Sequence, residues 1–315
     1  MLLRSHEARR GSDGFREDAV SMAVVGVLGG SGVYDLDGLR GARWEKVESS
    51  FGAPSDELLR GELDGVEFVF LPRHGRGHRI PPSEVDYRAN VDALKRAGVT
   101  DLVSVSACGS LREALSPGTF VLVDQFVDRT FARPKSFFGT GLVAHVSMAD
   151  PVCGRLHDAL SATAIERDIP LVCGGTYLAM EGPQFSSRAE SELYRSWGCD
   201  VIGMTNMPEA KLAREAEICY ASVAMVTDYD CWHPHEDDVA VADIVALLKS
   251  NADRGRALVA GLAGHIEDRP TPCPRGCDRA LDTALITAPE ARDPEAMRRL
   301  GAVAGRVLGS AGQSR

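Results

Sequence analysis

Short apolar runs alternate along the chain with longer stretches in which apolar residues recur every three or four positions. The short runs predict buried strands at 23–28, 66–71, 101–106, 119–124, 171–177, 200–203 and 219–226. The longer stretches predict amphipathic helices at 85–97, 151–167, 187–197, 208–217 and 239–265. Strands and helices that alternate in this way are typical of an α/β fold, so we expect a sheet flanked by helices.

The character of the chain changes near both ends. Residues 1–22 are polar and lack the apolar core of a signal peptide, so we expect a flexible N-terminal arm. Residues 23–265 carry the alternating pattern and are expected to form one domain. Proline and charge dominate after this region. We expect 266–315 to be a C-terminal tail that is mobile or forms a small terminal helix at 290–308.

Composition narrows the classes of function. The 315 residues include 44% hydrophobic and 25% charged positions, which is ordinary for a globular chain, and the formal net charge is -10. This acidity disfavours nucleic acid and anionic membranes as partners, because both are negatively charged. No apolar run reaches the length of a membrane-spanning helix. We therefore expect a cytoplasmic protein that acts on small molecules.

The eight cysteines divide into two kinds. Cys108, Cys173 and Cys219 lie in apolar segments and are interpreted as reduced core residues of a cytosolic protein. Cys273 and Cys277 stand in a polar segment, where they would form a local disulfide or half of a metal site. No second Cys/His pair stands nearby in the sequence, so we expect no bound metal.

Three predicted strands end in turns that are rich in glycine or in small and charged residues. The first turn contains Ser31, the second Arg73 and His74, and the third Ser106 and Ala107. Backbone N–H groups, a guanidinium and hydroxyls in such turns suit an oxyanion such as phosphate. The carboxyl ends of strands in an open sheet form a common ligand-binding edge. Each turn alone is also compatible with a tight connection, a solvated surface or close packing.

Two further segments carry groups that suit a ligand. The loop at 181–190 presents Phe185, whose ring would either stack on a base or lie in the core. Thr205 stands at the start of a predicted helix, where a hydroxyl and backbone N–H groups favour an anion. Met204, just before it, is the kind of residue that also fills a core.

Asp228 and Asp230 end the strongest apolar strand. Carboxylates at positions i and i+2 of an extended segment point to the same side. In a pocket, desolvation and mutual repulsion would keep one of the two carboxyls protonated. It would then donate to purine N7 while its neighbour accepts from an exocyclic amine. A solvated acidic turn is the alternative.

Taken together and in order, these motifs resemble the trimeric purine nucleoside phosphorylases over about residues 23–262. The matching stretches are GGSG at 29–32, FGAPSD at 51–56, RHGR at 73–76, ACGSLRE at 107–113, DQFVDRT at 124–130, EGPQFSSRAE at 181–190 and TDYDCW at 227–232. The resemblance implies a single-domain phosphorylase/hydrolase-like fold with a mixed central β-sheet, partly barrel-like and flanked by helices. It also implies a homotrimer or a dimer of trimers, with a nucleoside and phosphate as substrates. No cofactor is implied, since inorganic phosphate is a co-substrate.

The resemblance also assigns a site residue by residue. The phosphate site that it implies consists of Ser31, Arg73, His74, Ser106, Ala107 and Thr205. The nucleoside site that it implies consists of Phe185, Ser186, Met204, Asp228, Asp230, Val241, Ile244 and Val245, with His145 reaching in from a neighbouring subunit. Within this set the two aspartates are the catalytic residues, and the methionine lies beside the ribose.

The reaction that the resemblance implies is phosphorolysis of S-methyl-5′-thioadenosine to adenine and 5-methylthioribose 1-phosphate. Aspartate at both 228 and 230, rather than asparagine at the first position, favours a 6-amino purine. The apolar residues at 241–245 suit a thioether, but a helix also needs an apolar face for its core. The alternatives are a phosphorylase of adenosine or another 5′-substituted adenine nucleoside, a hydrolase on the same fold, and a non-catalytic nucleoside-binding protein.

Overall fold

The alternating apolar pattern folds into a mixed sheet flanked by helices, in a computed structural model that describes residues 19–30, 32–34, 36–234, 241–266 and 268–309. The strands are β1 (Ala19–Met22), β2 (Val24–Gly29), β3 (Arg40–Glu45), β4 (Leu58–Leu63), β5 (Val66–Pro72), β6 (Asp101–Ser110), β7 (Phe120–Val123), β8 (Gln125–Asp128), β9 (Leu171–Cys173), β10 (Thr176–Ala179), β11 (Val201–Gly203), β12 (Cys219–Asp228) and β13 (Asp268–Thr271). The helices are α1 (Tyr87–Arg96), α2 (Gly154–Glu166), α3 (Arg188–Ser196), α4 (Asn206–Glu215), α5 (Val241–Gly261), α6 (Ala263–Ile266), α7 (Pro294–Arg299) and α8 (Gly301–Gly309).

One large sheet organises the domain. Its main path runs β3-β4-β5-β2-β6-β11-β10-β8, and β12, β7 and β9 branch from β6. The strands β6 and β12 are parallel, as are β2 and β5, whereas β11 is antiparallel to β6. The predicted α/β fold with a mixed sheet is confirmed. Among the described residues the terminal strands β3 and β8 of this path do not pair, so the sheet is not closed.

The centre of the sheet is buried on both faces. The first eight residues of β12 and the first six residues of β6 are all buried. Strands that are covered on both faces appear in a sequence as continuous apolar runs rather than as alternating ones. This explains why 219–226 is the strongest strand signal in the chain.

Glycines divide or extend several predicted elements. The predicted strand at 171–177 is two strands, because Gly174 and Gly175 adopt φ angles of 86° and 132° that other residues rarely adopt. The predicted helix at 239–265 is two helices in the structure: α5 ends at Gly261, and the short helix α6 follows it. The predicted strand at 101–106 runs on to residue 110, which brings Gly109 into the sheet.

The described parts of both chain ends are attached to the fold. Strand β1, in the segment expected to be an arm, pairs antiparallel with β13 in the segment expected to be a tail. The segment of α7 and α8 supplies Leu300 and Val303 to the same apolar core as α1. The predicted terminal helix at 290–308 therefore takes the form of two short helices. Within the described ranges, no helix is both long and apolar enough to cross a membrane.

Candidate active site

Two adjacent parallel strands, β6 and β12, position the candidate site. Their register pairs Ser106 with Ala224 and Gly109 with Asp228. Because the strands run in the same direction, their carboxyl ends meet at one edge of the sheet. The predicted anion residues on β6 and the predicted aspartates after β12 therefore share that edge.

Ser106 and Thr205 are brought together by Asn206, a residue that sequence reasoning missed. Both hydroxyls donate to the side-chain oxygen of Asn206, at 3.2 Å from Ser106 Oγ and 3.3 Å from Thr205 Oγ1. Asn206 Nδ2 in turn donates to Ser222 Oγ on β12. The cluster is buried in the turn at the start of α4, just before a kink at Met207, whose backbone angles are not helical. A hydroxyl can rotate from the amide oxygen to a phosphate oxygen, so this cluster suits the predicted role.

Arg73 is almost completely buried and forms an ion pair with Glu209, which the sequence did not mark as functional. Arg73 Nε lies 2.5 Å from Glu209 Oε1, and Arg73 Nη2 donates to Ser104 Oγ at 2.7 Å. The guanidinium also donates to the carbonyl oxygens of Leu28 and Val105. The guanidinium thus connects β2 and β6 to α4. Its assignment as a phosphate ligand stays a prediction.

His74 lies next to this ion pair and is neutral near pH 7. Burial, and then the charge of Arg73, lowers the pKa of His74 to about 4. Its Nδ1 lies 2.9 Å from the carbonyl oxygen of Ile80, which can only accept, so Nδ1 carries the ring proton. Nε2 is then an acceptor. A neutral ring with its acceptor at Nε2 suits the hydroxyl of a hydrogen phosphate.

Asp228, the last residue of β12, is held by two short hydrogen bonds. Its Oδ2 accepts from Thr227 Oγ1 at 2.7 Å, and its Oδ1 accepts from the backbone N–H of Asp230 at 2.8 Å. A register shift in the pairing with β6 falls just before it. The carboxylate is therefore fixed in direction at the strand end.

Asp230 does not continue the strand. It has a φ of 52° and begins a 3₁₀ turn. The expectation that both carboxylates stand on one extended segment is therefore wrong. Burial raises the pKa of Asp230, and the neighbouring charge of Asp228 raises it further. Within the described part of the chain, its buried Oδ2 has no hydrogen-bond partner. The pocket thus favours a neutral carboxyl or a ligand that donates to this oxygen.

Both aspartates lie over Gly109 of β6. A Cβ atom added to Gly109 would stand 2.9 Å from Asp228 Oδ1 and 3.3 Å from Asp230 Cβ. The turn after β12 thus closes over a strand position that has no side chain. The aspartates come together through this close approach rather than through strand alternation.

The loop at 181–190 is anchored by Arg133, another residue that sequence reasoning missed. Arg133 Nε donates to Glu181 Oε1 at 3.0 Å, and Nη1 donates to the carbonyl oxygen of Met204 at 2.6 Å. Although burial raises the pKa of Glu181, hydrogen bonds from two backbone amides and from Arg133 hold it below its ordinary value. One buried ion pair therefore fixes both the loop and the turn before α4. A single arginine in a polar stretch offers no sequence signal for this role.

The loop places its predicted ligand groups beside the aspartates. Phe185 is 84% exposed, which excludes its alternative as a core residue. The carbonyl oxygen of Ser186 accepts from Cys231 Sγ at 3.3 Å, directly after the aspartate pair. Met204 Sδ would stand 2.5 Å from a Cβ atom added to Gly182, so the methionine lies against the same loop.

Several predicted residues fall outside what the structure describes. Ser31 is outside the described residues. Val241, Ile244 and Val245 begin α5, and their side chains are outside the description as well. Their assignments to phosphate and to the methylthio group stay predictions.

Ala107 and His145 are described, and both are exposed. Ala107 follows Ser106 on β6. The backbone N–H of His145 donates to the carbonyl oxygen of Ala284, and no described contact joins its side chain to the rest of the candidate site. The assignment of His145 to the nucleoside site of a neighbouring subunit stays a prediction.

The domain that carries this site matches a known family. The sequence model of the phosphorylase superfamily matches residues 24–263. The chain belongs to this superfamily. The matched range includes both the hydroxyl cluster and the aspartate pair of this phosphorylase.

Curated relatives of the phosphorylase match over most of their length. An S-methyl-5′-thioadenosine phosphorylase of Cereibacter sphaeroides is 66% identical over 285 residues, which cover 90% of this chain and 98% of the relative. The protein of the same name from Rhodospirillum rubrum is 64% identical over 292 residues, which cover 93% and 99%.

Solved structures share the fold of the phosphorylase. The crystal structure of a methylthioadenosine phosphorylase from an Antarctic soil metagenomic library matches with a TM-score of 0.83 and 47% identity, covering 90% of this chain and 99% of that one. A mutant of an adenosine/methylthioadenosine phosphorylase from Schistosoma mansoni, in complex with methylthioadenosine, matches with a TM-score of 0.72 and 39% identity, covering 77% and 91%.

Proposed function

We propose that the protein cleaves S-methyl-5′-thioadenosine with inorganic phosphate and releases adenine and 5-methylthioribose 1-phosphate. The observation that carries this proposal is the placement of a hydroxyl cluster and an aspartate pair along one strand. Ser106 and Gly109 are three residues apart on β6, which corresponds to about 10 Å at 3.3 Å per residue. A ribose fits in this interval, with phosphate on one side and the base on the other.

The relatives support the choice of substrate. Those from Cereibacter sphaeroides and Rhodospirillum rubrum carry the name S-methyl-5′-thioadenosine phosphorylase at 66% and 64% identity. The Schistosoma mansoni structure contains methylthioadenosine. We therefore expect the same nucleoside to be the substrate here.

Phosphate is the nucleophile of the proposed reaction. One of its oxygens attacks the anomeric carbon while the bond from that carbon to purine N9 breaks, through an oxocarbenium-like state. The hydroxyls of Ser106 and Thr205 orient the phosphate. His74 accepts the hydrogen of hydrogen phosphate at Nε2, since burial and the charge of Arg73 keep the ring neutral.

The purine leaves with the electron pair of the glycosidic bond. A protonated carboxyl at Asp228 delivers a proton to N7, and Asp230 accepts from the 6-amino group. Because burial favours a neutral carboxyl at Asp230, one proton is shared by the pair rather than held by a single oxygen. The protons balance overall: hydrogen phosphate loses one on becoming the sugar phosphate dianion, and neutral adenine gains one.

Adenosine is a second candidate substrate. The Schistosoma mansoni relative is named adenosine/methylthioadenosine phosphorylase, so a related site accepts both nucleosides by name. A hydrolase is disfavoured, because water needs no cluster of buried hydroxyls.

A substrate panel tests the proposal. Methylthioadenosine, adenosine and methylthioinosine are each incubated with and without phosphate, and the free base and the sugar phosphate are measured. We expect kcat/KM for methylthioadenosine to exceed that for adenosine and for methylthioinosine by about tenfold or more. A preference for adenosine would contradict the 5′ assignment. Comparable turnover of methylthioinosine would contradict the assignment of the base.

We also infer that the protein is a cytoplasmic homotrimer or a dimer of trimers that needs no cofactor. The exposed His145 suits a contact with a neighbouring subunit. Eight cysteines without a disulfide suit a reducing compartment. Light scattering coupled to size-exclusion chromatography tests the assembly, and a monomer at assay concentration would contradict it.

A further inference from the structure

Four cysteines from three separate segments converge at the amino end of β12. They are Cys153, Cys219, Cys273 and Cys277, and their Sγ atoms all lie within 4.8 Å of one another. None of the four side chains is more than 3% exposed. From the sequence alone, only Cys273 and Cys277 were candidates, and no metal was expected because no second Cys/His pair stands near them. The fold supplies that second pair.

The spacing of the sulfurs fits a shared metal ion better than a disulfide. The Sγ atoms of Cys153 and Cys273 are 3.7 Å apart. A disulfide requires about 2.05 Å. Four sulfurs at about 2.3 Å from a tetrahedral zinc ion are about 3.8 Å from one another. The observed separation is therefore that of two corners of a tetrathiolate site.

Each cysteine is held by the local structure of its segment. Cys153 is the N-cap residue of α2, where helix amides favour a thiolate, and Cys219 is the first residue of β12. Cys273 and Cys277 flank a tight loop in which Gly276, with a φ of 67°, donates to the carbonyl oxygen of Cys273 at 2.7 Å. The four sulfurs are thus presented by a helix end, a strand start and one turn.

Arginines lie beside the cluster, where they would offset the net negative charge of a metal ion bound by four thiolates. Four thiolates and one zinc ion carry a net charge of about -2. Arg214 Nη1 donates to Cys277 Sγ at 3.9 Å, and Arg269 Nη2 donates to Cys219 Sγ at 3.8 Å. The carboxylate of Asp101 lies 3.2 Å from Arg269 Nε and holds this arginine in place. Donors to ligand sulfurs of this kind are typical of the outer shell of metal sites.

We propose that Cys153, Cys219, Cys273 and Cys277 bind one zinc ion in a closed structural site. Thiolates are soft ligands that select zinc over hard cations, and four protein ligands leave no position for a substrate. The site fastens the turn after β13 to the start of β12 and to α2. It lies at the opposite end of β12 from Asp228, so it is a site for stability and not for the proposed reaction.

Metal analysis of the purified full-length protein tests the proposal. The protein is expressed in medium that contains zinc and iron, desalted without chelator, and measured by inductively coupled plasma mass spectrometry. We expect about one zinc ion per chain, as one closed tetrathiolate site requires. The matched pair of variants is Cys277→Ser, which should hold less than about a tenth of that zinc, and Cys199→Ser, which changes an equally buried cysteine outside the cluster and should hold all of it.

Two further measurements decide the outcome even if Cys277→Ser fails to fold. Cobalt reconstitution of the wild-type protein should produce the visible absorption of a tetrahedral tetrathiolate ion. Intact mass under denaturing conditions should show all eight thiols reduced. A wild-type protein without metal, or one whose mass shows a disulfide among the four cysteines, would overturn the site. Iron in place of zinc would overturn the choice of metal.

Discussion

The two ends of strand β12 carry two different sites, about 30 Å apart along a ten-residue strand. At the carboxyl end, Asp228 lies among residues that stand in short motifs after consecutive strands. At the amino end, Cys219 lies among cysteines from two other segments, and of the four cysteines only Cys273 and Cys277 stand close together in the sequence. A motif after a strand reveals a site in the sequence, whereas a site built from scattered residues appears only in the fold.

The largest expected effect is at the carboxyl end. Asp228→Asn removes the proposed proton donor to N7, so kcat for methylthioadenosine should fall by roughly 10²–10⁴-fold, with little change in melting temperature. The matched control is Asp64→Asn, at an exposed hairpin position with a φ of 47° that asparagine tolerates. Near wild-type turnover of Asp228→Asn would remove this residue from the chemistry.

A second variant tests whether the two aspartates depend on the missing side chain of Gly109. In Gly109→Ala the new Cβ atom would press on the carboxylate of Asp228 and on the Cβ atom of Asp230, and a displacement of about 1 Å can cost on the order of 10²-fold in rate. Gly264→Ala is the control, because nothing lies within 4 Å of its added Cβ atom. Full activity of Gly109→Ala would mean that the geometry over β6 does not matter for turnover.

Loss of a hydroxyl from the cluster should weaken the binding of phosphate and not that of the nucleoside. Thr205→Ala removes one hydrogen bond to a charged ligand, so KM for phosphate should rise roughly 10- to 100-fold while KM for methylthioadenosine stays near its wild-type value. Thr205 makes no side-chain cap bond to α4, so the helix should survive. Thr205→Ser keeps the hydroxyl and should restore phosphate binding. Equal rises of both KM values would argue against a separate phosphate site.

A substitution at the amino end of β12 should lower the stability of the protein and leave its activity nearly unchanged. Cys219→Ser removes one proposed zinc ligand, so the melting temperature should fall by several degrees while kcat at low temperature stays within about twofold of wild type. Scanning calorimetry and initial rates on the same sample check this. A loss of kcat without a loss of melting temperature would mean that the two ends are not independent.

The smallest expected effect is the pH dependence that His74 adds to stability. Burial and the charge of Arg73 lower the pKa of His74 to about 4, with smaller effects of His78 and Arg133, while the Ile80 carbonyl opposes them. Folding therefore favours the neutral ring. This contribution is fully present above the ordinary value of 6.5 and is lost as the pH falls toward 4.

The measurement is the melting temperature at pH 7.5 and at pH 5. The wild-type protein should lose a few degrees more than His74→Gln between these values. His265→Gln, which changes an exposed histidine, should behave like wild type. An equal loss in wild type and His74→Gln would contradict a buried neutral ring.

The sequence predicts most of the site because its residues follow buried strands. The apolar run of β12 and the hydroxyls of Ser106 and Thr205 are each visible from neighbouring residues alone. Asn206 could have been found as a polar residue beside Thr205 at a helix start. The backbone conformation of Asp230 could not have been found in this way, because its positive φ angle depends on the turn that closes over Gly109.

The parts that sequence reasoning missed depend on long-range contacts. Arg133 reaches Glu181 and Met204 from 48 and 71 positions away. Cys153 and Cys273 are separated by 120 positions. Nothing in the immediate surroundings of Arg133 or Cys153 distinguishes them from ordinary surface or core residues, so their partners become visible only in the fold.

The central claim is that phosphate, held beside the hydroxyl cluster, takes the place of water in cleaving the glycosidic bond. The most direct test is the ratio of 5-methylthioribose 1-phosphate to adenine formed from methylthioadenosine, measured with and without phosphate. The account predicts one sugar phosphate for each adenine, and no release of adenine when phosphate is absent. Adenine released at the same rate without phosphate, together with free 5-methylthioribose, would contradict it.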